Sequence, residues 1–322
     1  KRFPLDGPYA MSCRRLSMNP GEALVTESNE PSRGNLLKQY FDEERCKFRH
    51  LTAEQFSDIW SQFDIDGNGY IEGVELEAFF SDLLETIVTP ELKHSLTHAE
   101  VQALKDELWA HVDKNKDKKI EISELASLLP TDEEFIVLFT HEKYMHSSID
   151  FMRVWKLFDK DHSGYIEANE LKDFLKELFK YTKKGNELGE DKLIEYTDNL
   201  LRIFDKNKDR RLQLSEMARL LPVKENFLKK PFFKNMENIT IADINKVFSY
   251  YDEDKNGYME GEELEAFFKD LLELAQEDYD GEDLAYMKRE FLKNWDANKD
   301  GKICIDELKM IILAKTHLSG AK

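Results

Sequence analysis

Apolar residues recur along the chain in short stripes that flank acidic segments. Ahead of each segment they stand one, four and five positions before an aspartate. Beyond it they stand one, four and five positions after a glutamate, and both spacings place the side chains on one face of an α-helix. The first unit shows the pattern at Ile59, Trp60, Phe63, Asp64, Glu75, Leu76, Phe79 and Phe80. The pattern therefore predicts that each unit has a helix before the loop, the incoming helix, then a polar loop and a helix after it, the outgoing helix.

The unit repeats along most of the chain. Its opening aspartates are Asp64, Asp113, Asp159, Asp205, Asp252 and Asp296. One unit cannot bury both of its stripes alone, so we expect neighbouring units to pair. Leu-Leu-Pro ends at Pro130 and Pro222, after the second and fourth units, and proline stops the helix before it. The pattern predicts an all-α fold of three pairs in residues 46–130, 131–222 and 223–322, preceded by a disordered tail in residues 1–45 that is rich in polar residues and proline.

Short motifs predict where some incoming helices begin. Thr52-Ala-Glu-Gln55 and Thr97-His-Ala-Glu100 have the spacing of capping boxes, and Thr240 is expected to be a helix N-cap.

The twelve residues from Asp64 to Glu75 carry oxygen-bearing side chains at positions 1, 3, 5 and 12 and a glycine at position 6. This spacing is typical of the calcium loop of an EF-hand. Calcium takes about six to eight oxygen ligands, and a tight loop turns positions 1, 3 and 5 inward. Position 7 contributes its backbone carbonyl, and the glutamate at position 12 contributes both of its oxygens.

We number the loops 1 to 6 along the chain. Loops 1, 3, 5 and 6 match this motif and are expected to bind Ca²⁺. Loop 6 differs in having Cys304 at position 9, where a water molecule often serves as the ligand. The candidate ligands are Asp64, Asp66, Asn68, Tyr70 and Glu75 in loop 1; Asp159, Asp161, Ser163, Tyr165 and Glu170 in loop 3; Asp252, Asp254, Asn256, Tyr258 and Glu263 in loop 5; and Asp296, Asn298, Asp300, Lys302 and Glu307 in loop 6.

Loops 2 and 4 keep their oxygen-bearing residues but have Lys118 and Arg210 at position 6. A non-glycine residue at positive φ costs about 1–2 kcal/mol, which corresponds to roughly a tenfold loss of affinity. We therefore expect weaker sites here. Their candidate ligands are Asp113, Asn115, Asp117, Lys119 and Glu124 in loop 2, and Asp205, Asn207, Asp209, Arg211 and Glu216 in loop 4.

Position 8 is apolar in every loop, which predicts a short β-bridge between the two loops of each pair. These residues are Ile71, Ile120, Ile166, Leu212, Met259 and Ile303.

Charge and composition narrow the function further. The formal net charge of −19 disfavours nucleic acid and anionic membranes as partners, because both are polyanions. The three cysteines form no CxxC pair, and no window of 18 uninterrupted apolar residues predicts a membrane span. The loops account for the paired carboxylates, and we find no nucleophile–base pair or phosphate-binding glycine motif. A cytosolic, monomeric calcium-binding protein that is not an enzyme is expected.

Several sequence motifs resemble those of the calbindin/calretinin/secretagogin family, and they are most similar to those of an invertebrate calbindin. They are the two Leu-Leu-Pro junctions, the Tyr-Ile-Glu-x-x-Glu-Leu-x-x-Phe stretches at 70–79 and 165–174, and Lys-Leu-Ile-Glu-Tyr-Thr at 192–197. The resemblance implies six EF-hands and cytosolic calcium buffering, with some members acting as sensors. It also implies that one or two hands are silent, which singles out loop 2.

Two roles stay open at the level of sequence. A sensor exposes an apolar groove to target proteins, whereas a buffer changes little when it binds calcium. The odd-numbered outgoing helices carry an extra apolar pair at Leu83/Leu84, Leu178/Phe179 and Leu271/Leu272. Burial of these residues between the pairs of units favours a buffer, and their exposure favours a sensor.

Overall fold

The computed structural model describes residues 34–88, 97–139, 145–181, 188–223, 226–229, 240–276 and 278–310. The chain divides into two compact units, residues 1–140 and 141–322. The first contains loops 1 and 2, and the second contains loops 3 to 6.

The first unit is helical, with strands of two residues each. Its helices are α1 (Leu36–Gln39), α2 (Ala53–Phe63), α3 (Gly73–Ile87), α4 (His98–Val112), α5 (Ile122–Leu128) and α6 (Glu133–Val137). Its strands are β1 (Phe41–Asp42), β2 (Lys47–Phe48), β3 (Tyr70–Ile71) and β4 (Ile120–Glu121).

The second unit contains four loops, each with a two-residue strand and with helical residues before and after it. Its helices are α7 (Ser148–Phe158), α8 (Ala168–Tyr181), α9 (Glu190–Phe204), α10 (Leu214–Leu220), α11 (Ile241–Tyr251), α12 (Gly261–Ala275) and α13 (Gly281–Trp295), with a 3₁₀ turn at Phe227–Lys229 and helical residues at 305–310. Its strands are β5 (Ile166–Glu167), β6 (Arg211–Leu212), β7 (Tyr258–Met259) and β8 (Ile303–Cys304). The all-α prediction is confirmed.

The predicted helix starts are present. Thr52 and Thr97 each form a complete capping box, and Thr240 accepts a hydrogen bond from the backbone N–H of Asp243. Helices α5 and α10 are only seven residues long, and each ends just before a Leu-Leu-Pro proline.

The predicted β-bridges are confirmed in all three pairs. Within the antiparallel ladders, Ile71 lies opposite Ile120, Ile166 opposite Leu212, and Met259 opposite Ile303. The two loops of a pair are therefore joined by backbone hydrogen bonds at their centres.

The apolar stripes form the cores. We call each helix–loop–helix repeat a hand and number the hands 1 to 6 after their loops. In each odd-numbered hand, the aromatic residue before the loop packs edge-to-face on the phenylalanine four residues beyond position 12, at 5.2–5.3 Å between ring centroids. The pairs are Phe63 with Phe79, Phe158 with Phe174, and Tyr251 with Phe267. This contact fixes the incoming helix against the outgoing one at the base of the loop.

Residues 34–45 differ from the predicted disordered tail. They form α1 and β1 and pack on the first pair, where Leu37 is fully buried. Asn35 caps α1, and its amide nitrogen donates to the backbone oxygen of Asp82 at 2.9 Å and to Thr86 Oγ1 at 3.2 Å. The prediction was wrong here because one apolar residue and one amide anchor the segment without any periodicity. The rest of the predicted tail, residues 1–33, lies outside the described residues.

In the second unit, helix α7 of hand 3 packs against helix α12 of hand 5. Asp270 on α12 is buried and accepts hydrogen bonds from Ser148 Oγ and Tyr251 Oη, both at 2.6 Å. Its neighbour Lys269 is also buried, and Lys269 Nζ lies 2.6 Å from a carboxylate oxygen of Glu273. The two pairs therefore share a buried polar contact between α7 and α12.

Candidate calcium sites

The glutamate at position 12 holds each loop in the same way. In loop 1, Glu75 Oε1 accepts the backbone N–H of Ile65 at 2.8 Å, and Oε2 accepts that of Glu72 at 3.5 Å. The same two bonds, from positions 2 and 9, are made to Glu124, Glu170, Glu216, Glu263 and Glu307. The first turn of the outgoing helix thus presents a carboxylate whose two oxygens are directed back over the loop.

The aspartate at position 1 closes the other side. Asp64 Oδ2 accepts the backbone N–H of Gly69 at 3.2 Å. The equivalent bonds are Lys118 to Asp113, Gly164 to Asp159, Arg210 to Asp205, Gly257 to Asp252 and Gly301 to Asp296, at 2.8–3.2 Å. Loops 2 and 4, which lack the glycine, therefore have the same backbone arrangement as the other four.

Positions 3 and 5 are held by local hydrogen bonds that repeat from loop to loop. The N–H of position 5 donates to the side chain of position 3, as from Asn68 to Asp66 at 3.0 Å, and the N–H of position 7 donates to the side chain of position 5, as from Tyr70 to Asn68 at 2.9 Å. The other five loops repeat both bonds. The side chains at positions 3 and 5 are therefore held in the same local arrangement in all six loops.

Two positions of each loop have positive φ, and the sequence motif indicates only one of them. Position 6 was expected, and Lys118 and Arg210 have φ of 71° and 64° there. Position 4 is also left-handed in all six loops, at Gly67, Lys116, His162, Lys208, Lys255 and Lys299. Five of these six residues are Lys or His, so residue type gave no signal, and only the loop geometry reveals the position.

Loops 1, 3 and 5 concentrate carboxylate oxygens. In loop 1, one oxygen each from Asp64, Asp66 and Glu75 lie within 4.8 Å of one another, and the equivalent residues of loops 3 and 5 do the same. Asp64 Oδ1 and Asp252 Oδ1 are buried without a hydrogen-bond partner. A buried acceptor that lacks a partner is costly, and a divalent cation coordinated by these oxygens removes that cost. The residues present therefore fit a calcium ion.

Crowding and burial of the carboxylates perturb their ionisation. Burial, followed by the charge of Glu75, raises the pKa of Asp64 to about 6. Burial raises the pKa of Glu216 in loop 4 to about 7, and it also raises the pKa of Asp159 and Glu263. These raised values mark sites where negative charge is unfavourable until a cation neutralises it.

The residues at position 7 connect the two loops of a pair. In the sequence motif this position matters only for its carbonyl oxygen. In the first pair, Lys119 Nζ lies 4.6 Å from the ring centre of Tyr70 and 2.7 Å from a carboxylate oxygen of Glu72 in the partner loop. Lys302 makes the same two contacts with Tyr258 and Glu260.

In the second pair, the guanidinium of Arg211 lies 4.4 Å from the ring centre of Tyr165, and its ion pair is with Asp209 of its own loop. A tyrosine at position 7 of odd loops and a cation at position 7 of even loops is the sequence signal for these contacts between loops.

Comparison with known proteins agrees with this geometry. A family model for an EF-hand domain pair matches residues 54–129 and 150–221, and a model for an EF hand matches residues 289–313. Calbindin-32 of Drosophila melanogaster is 48% identical over 290 residues, which cover 88% of this chain and 93% of the relative. Secretagogin of Xenopus laevis is 40% identical over 84% of this chain and 98% of its own, and human calretinin is 43% identical over 82% and 93%.

Within the part of the chain that the structure describes, no helix combines the length and the apolar character needed to cross a membrane. The repeated loops, their paired strands and the extent of these matches place the chain in the calbindin, calretinin and secretagogin family of EF-hand proteins, and it is a calcium-binding protein.

Proposed function

We propose that this protein buffers calcium in the cytoplasm as a monomer, without catalytic activity. The observation that carries this role is the burial of apolar surface beside the loops. A sensor needs a groove that opens to a target, whereas a buffer binds ions on a fold that is already closed.

In the first unit, α1 covers the outgoing helix of hand 1. Leu83 is 0% exposed and Leu84 is half-buried, while Asn35 fastens α1 to the last turns of α3. The segment that was expected to be a disordered tail therefore covers part of α3, and this part of α3 is not open to a target.

In the second unit, the corresponding pairs are covered to different degrees. Leu272 is buried, and Leu271, Leu178 and Phe179 are half-buried. The ring of Phe179 lies 6.1 Å from that of Tyr196 on α9. The packing of α12 on α7 supports a closed unit, and the partial exposure of three of these four side chains favours the second candidate, a calcium sensor that presents an apolar groove to target proteins.

We assign the ions to the side chains at positions 1, 3, 5 and 12 and the carbonyl at position 7 of each loop. Loops 1, 3, 5 and 6 are the strong sites. Loops 2 and 4 are weaker sites because Lys118 and Arg210 carry a side chain at positive φ. The fully formed hydrogen bonds of loops 2 and 4 support weak sites over silent ones.

Calcium titration followed by two separate measurements tests this role. Calorimetry gives the number of ions bound, and the fluorescence of a dye that binds apolar surface shows whether a groove becomes exposed. A buffer takes up at least four ions while dye fluorescence changes little. A several-fold rise in dye fluorescence, together with calcium-dependent retention of a helical target peptide, would instead establish the sensor. A triple variant, Glu75→Gln, Glu170→Gln and Glu263→Gln, is the control, because any dye response driven by the odd loops should disappear in it.

A further inference from the structure

A short segment of hand 6 lies against both calcium loops of the second pair. We call residues 278–281, which lead into α13, the entry segment. The backbone oxygen of Tyr279 accepts a hydrogen bond from Ser215, at position 11 of loop 4, at 3.0 Å. The phenol of Tyr165, at position 7 of loop 3, donates to Asp280 Oδ2 at 3.3 Å. One segment thus contacts the two loops of a different pair.

The closest approach is between two glycines. Gly164 is position 6 of loop 3, and Gly281 is the first residue of α13. A Cβ atom added to Gly281 would lie 2.8 Å from the Cα of Gly164 and 3.2 Å from its carbonyl oxygen. Real Cβ atoms do not approach backbone this closely, so any side chain at residue 281 must push the entry segment away from loop 3.

Charge holds the segment from the side of loop 4. Asp278 lies 2.8 Å from the guanidinium of Arg219 on α10 and 3.8 Å from the ammonium of Lys206, which is position 2 of loop 4. Tyr279 itself is buried, as is Ser215. The segment is therefore fitted between the loops and is not simply adjacent to them.

The same segment is fixed within hand 6. Asp280 is the N-cap of α13, and its Oδ1 accepts the backbone N–H of Asp283 at 2.9 Å. Helix α13 ends at Trp295, directly before Asp296 of loop 6. A shift of the entry segment therefore shifts the helix that leads into loop 6.

We propose that the entry segment is a positioning element for loops 3 and 4 and couples calcium binding in these loops to calcium binding in loop 6. The inference rests on the ligand assignment made above. An ion that orders loop 3 fixes the surface on which Asp280 and Gly281 rest, and an ion in loop 6 fixes α13 from its other end. Linkage makes the effect reciprocal, so each site gains affinity when the other is filled.

The test compares Gly281→Ala with Gly189→Ala in the full-length protein. Gly189 is the N-cap of α9, the incoming helix of hand 4, and a Cβ there meets nothing within 4 Å. Calcium is titrated while the backbone amide signals of Gly164 and Gly301 report loops 3 and 6 separately by NMR. Gly281→Ala should weaken loop 3 by about fivefold or more, the lower range of typical coupling, whereas Gly189→Ala should leave it unchanged.

Alanine is a better helix former than glycine, so a loss in Gly281→Ala opposes the local effect of the substitution on α13. Tyr165→Phe removes only the hydroxyl that reaches Asp280. It provides a second test of the contact between loop 3 and the entry segment if Gly281→Ala folds poorly. It should weaken loop 3 in the same direction.

Glu307→Gln measures the coupling directly. Removal of the loop 6 ion should lower the affinity of loop 3 in the natural sequence, and it should have little further effect when Gly281→Ala is also present. Equal loop 3 affinity with and without Glu307→Gln, or equal effects of Gly281→Ala and Gly189→Ala, would overturn the coupling. If Glu307→Gln leaves the calcium response of Gly301 intact, the ligand assignment itself is wrong.

Discussion

At the scale of single residues, the glutamate at position 12 has the clearest role. It accepts the backbone N–H groups of positions 2 and 9 of its loop, and in the proposed site it offers two oxygens to the ion. Glu75→Gln, Glu170→Gln and Glu263→Gln should each remove one strong site, because an amide offers a single oxygen and no charge.

Calorimetric stoichiometry checks this prediction. Glu77→Gln on α3 is the matched control, because Glu77 is exposed and pairs with Lys105, outside the loop. An unchanged number of ions in all three variants would contradict the assignment.

Substitutions at position 6 of loops 2 and 4 test whether backbone strain or positive charge weakens calcium binding there. Lys118→Gly and Arg210→Gly should strengthen loops 2 and 4 about tenfold, since glycine adopts a φ of 71° or 64° without a Cβ clash and a positive charge near the ion is removed. Affinities from competition with a calcium chelator measure the gain.

Lys118→Ala and Arg210→Ala are the controls, because they remove the charge and keep the Cβ atom. A gain in the glycine variants that the alanine variants match would assign the whole effect to charge. If no variant gains affinity, strain at position 6 does not limit these loops.

At the scale of elements, α1 is the part that local pattern reading missed. Leu37 is fully buried against the first pair, so Leu37→Ala should destabilise the first unit by about 2–5 kcal/mol, the usual cost of removing a buried leucine side chain. The same variant should uncover Leu83 and increase dye binding.

Chemical denaturation followed by tryptophan fluorescence measures the loss in a background that carries Trp109→Phe, Trp155→Phe and Trp295→Phe, because the remaining indole of Trp60 is buried in α2 of the same unit. Lys38→Ala is the control, since Lys38 is an exposed neighbour on the same helix. Equal stability of the two variants would show that α1 adds nothing to the first unit.

Local signals predicted most elements, and long-range contacts account for the rest. Capping motifs, helical stripes and prolines gave the starts and ends of helices because each acts within a few residues. The docking of Asn35 on Thr86 and the fit of Gly281 on Gly164 join residues far apart in the chain. No periodicity encodes such contacts, so neither could be read from the sequence.

At the scale of the whole molecule, the proposed ligand carboxylates would make calcium a stabiliser of the fold. Six divalent ions carry twelve positive charges, so full occupancy would change the formal charge from −19 to −7. Each ion that binds only the folded loop adds about 2.7 kcal/mol when free calcium is one hundred times its Kd. We therefore expect a large rise in Tm with calcium and a large fall in chelator.

Differential scanning calorimetry in calcium, magnesium and chelator tests this expectation. Magnesium at the same concentration should stabilise the protein less, because it requires near-octahedral geometry and gives up its water reluctantly. A Tm that is equal in calcium and chelator would contradict the proposed sites.

The close approach of Gly164 and Gly281 has an evolutionary consequence. The calcium loop alone accounts for glycine at 164, whereas nothing in the loop motif demands one at 281. The two positions lie in different repeats, yet their backbones share one space that has no room for a Cβ. While the two repeats pack in this way, residue 281 has no room for a side chain unless the entry segment moves. Among relatives, a side chain at the position of Gly281 should appear together with a longer or displaced connection between hands 5 and 6.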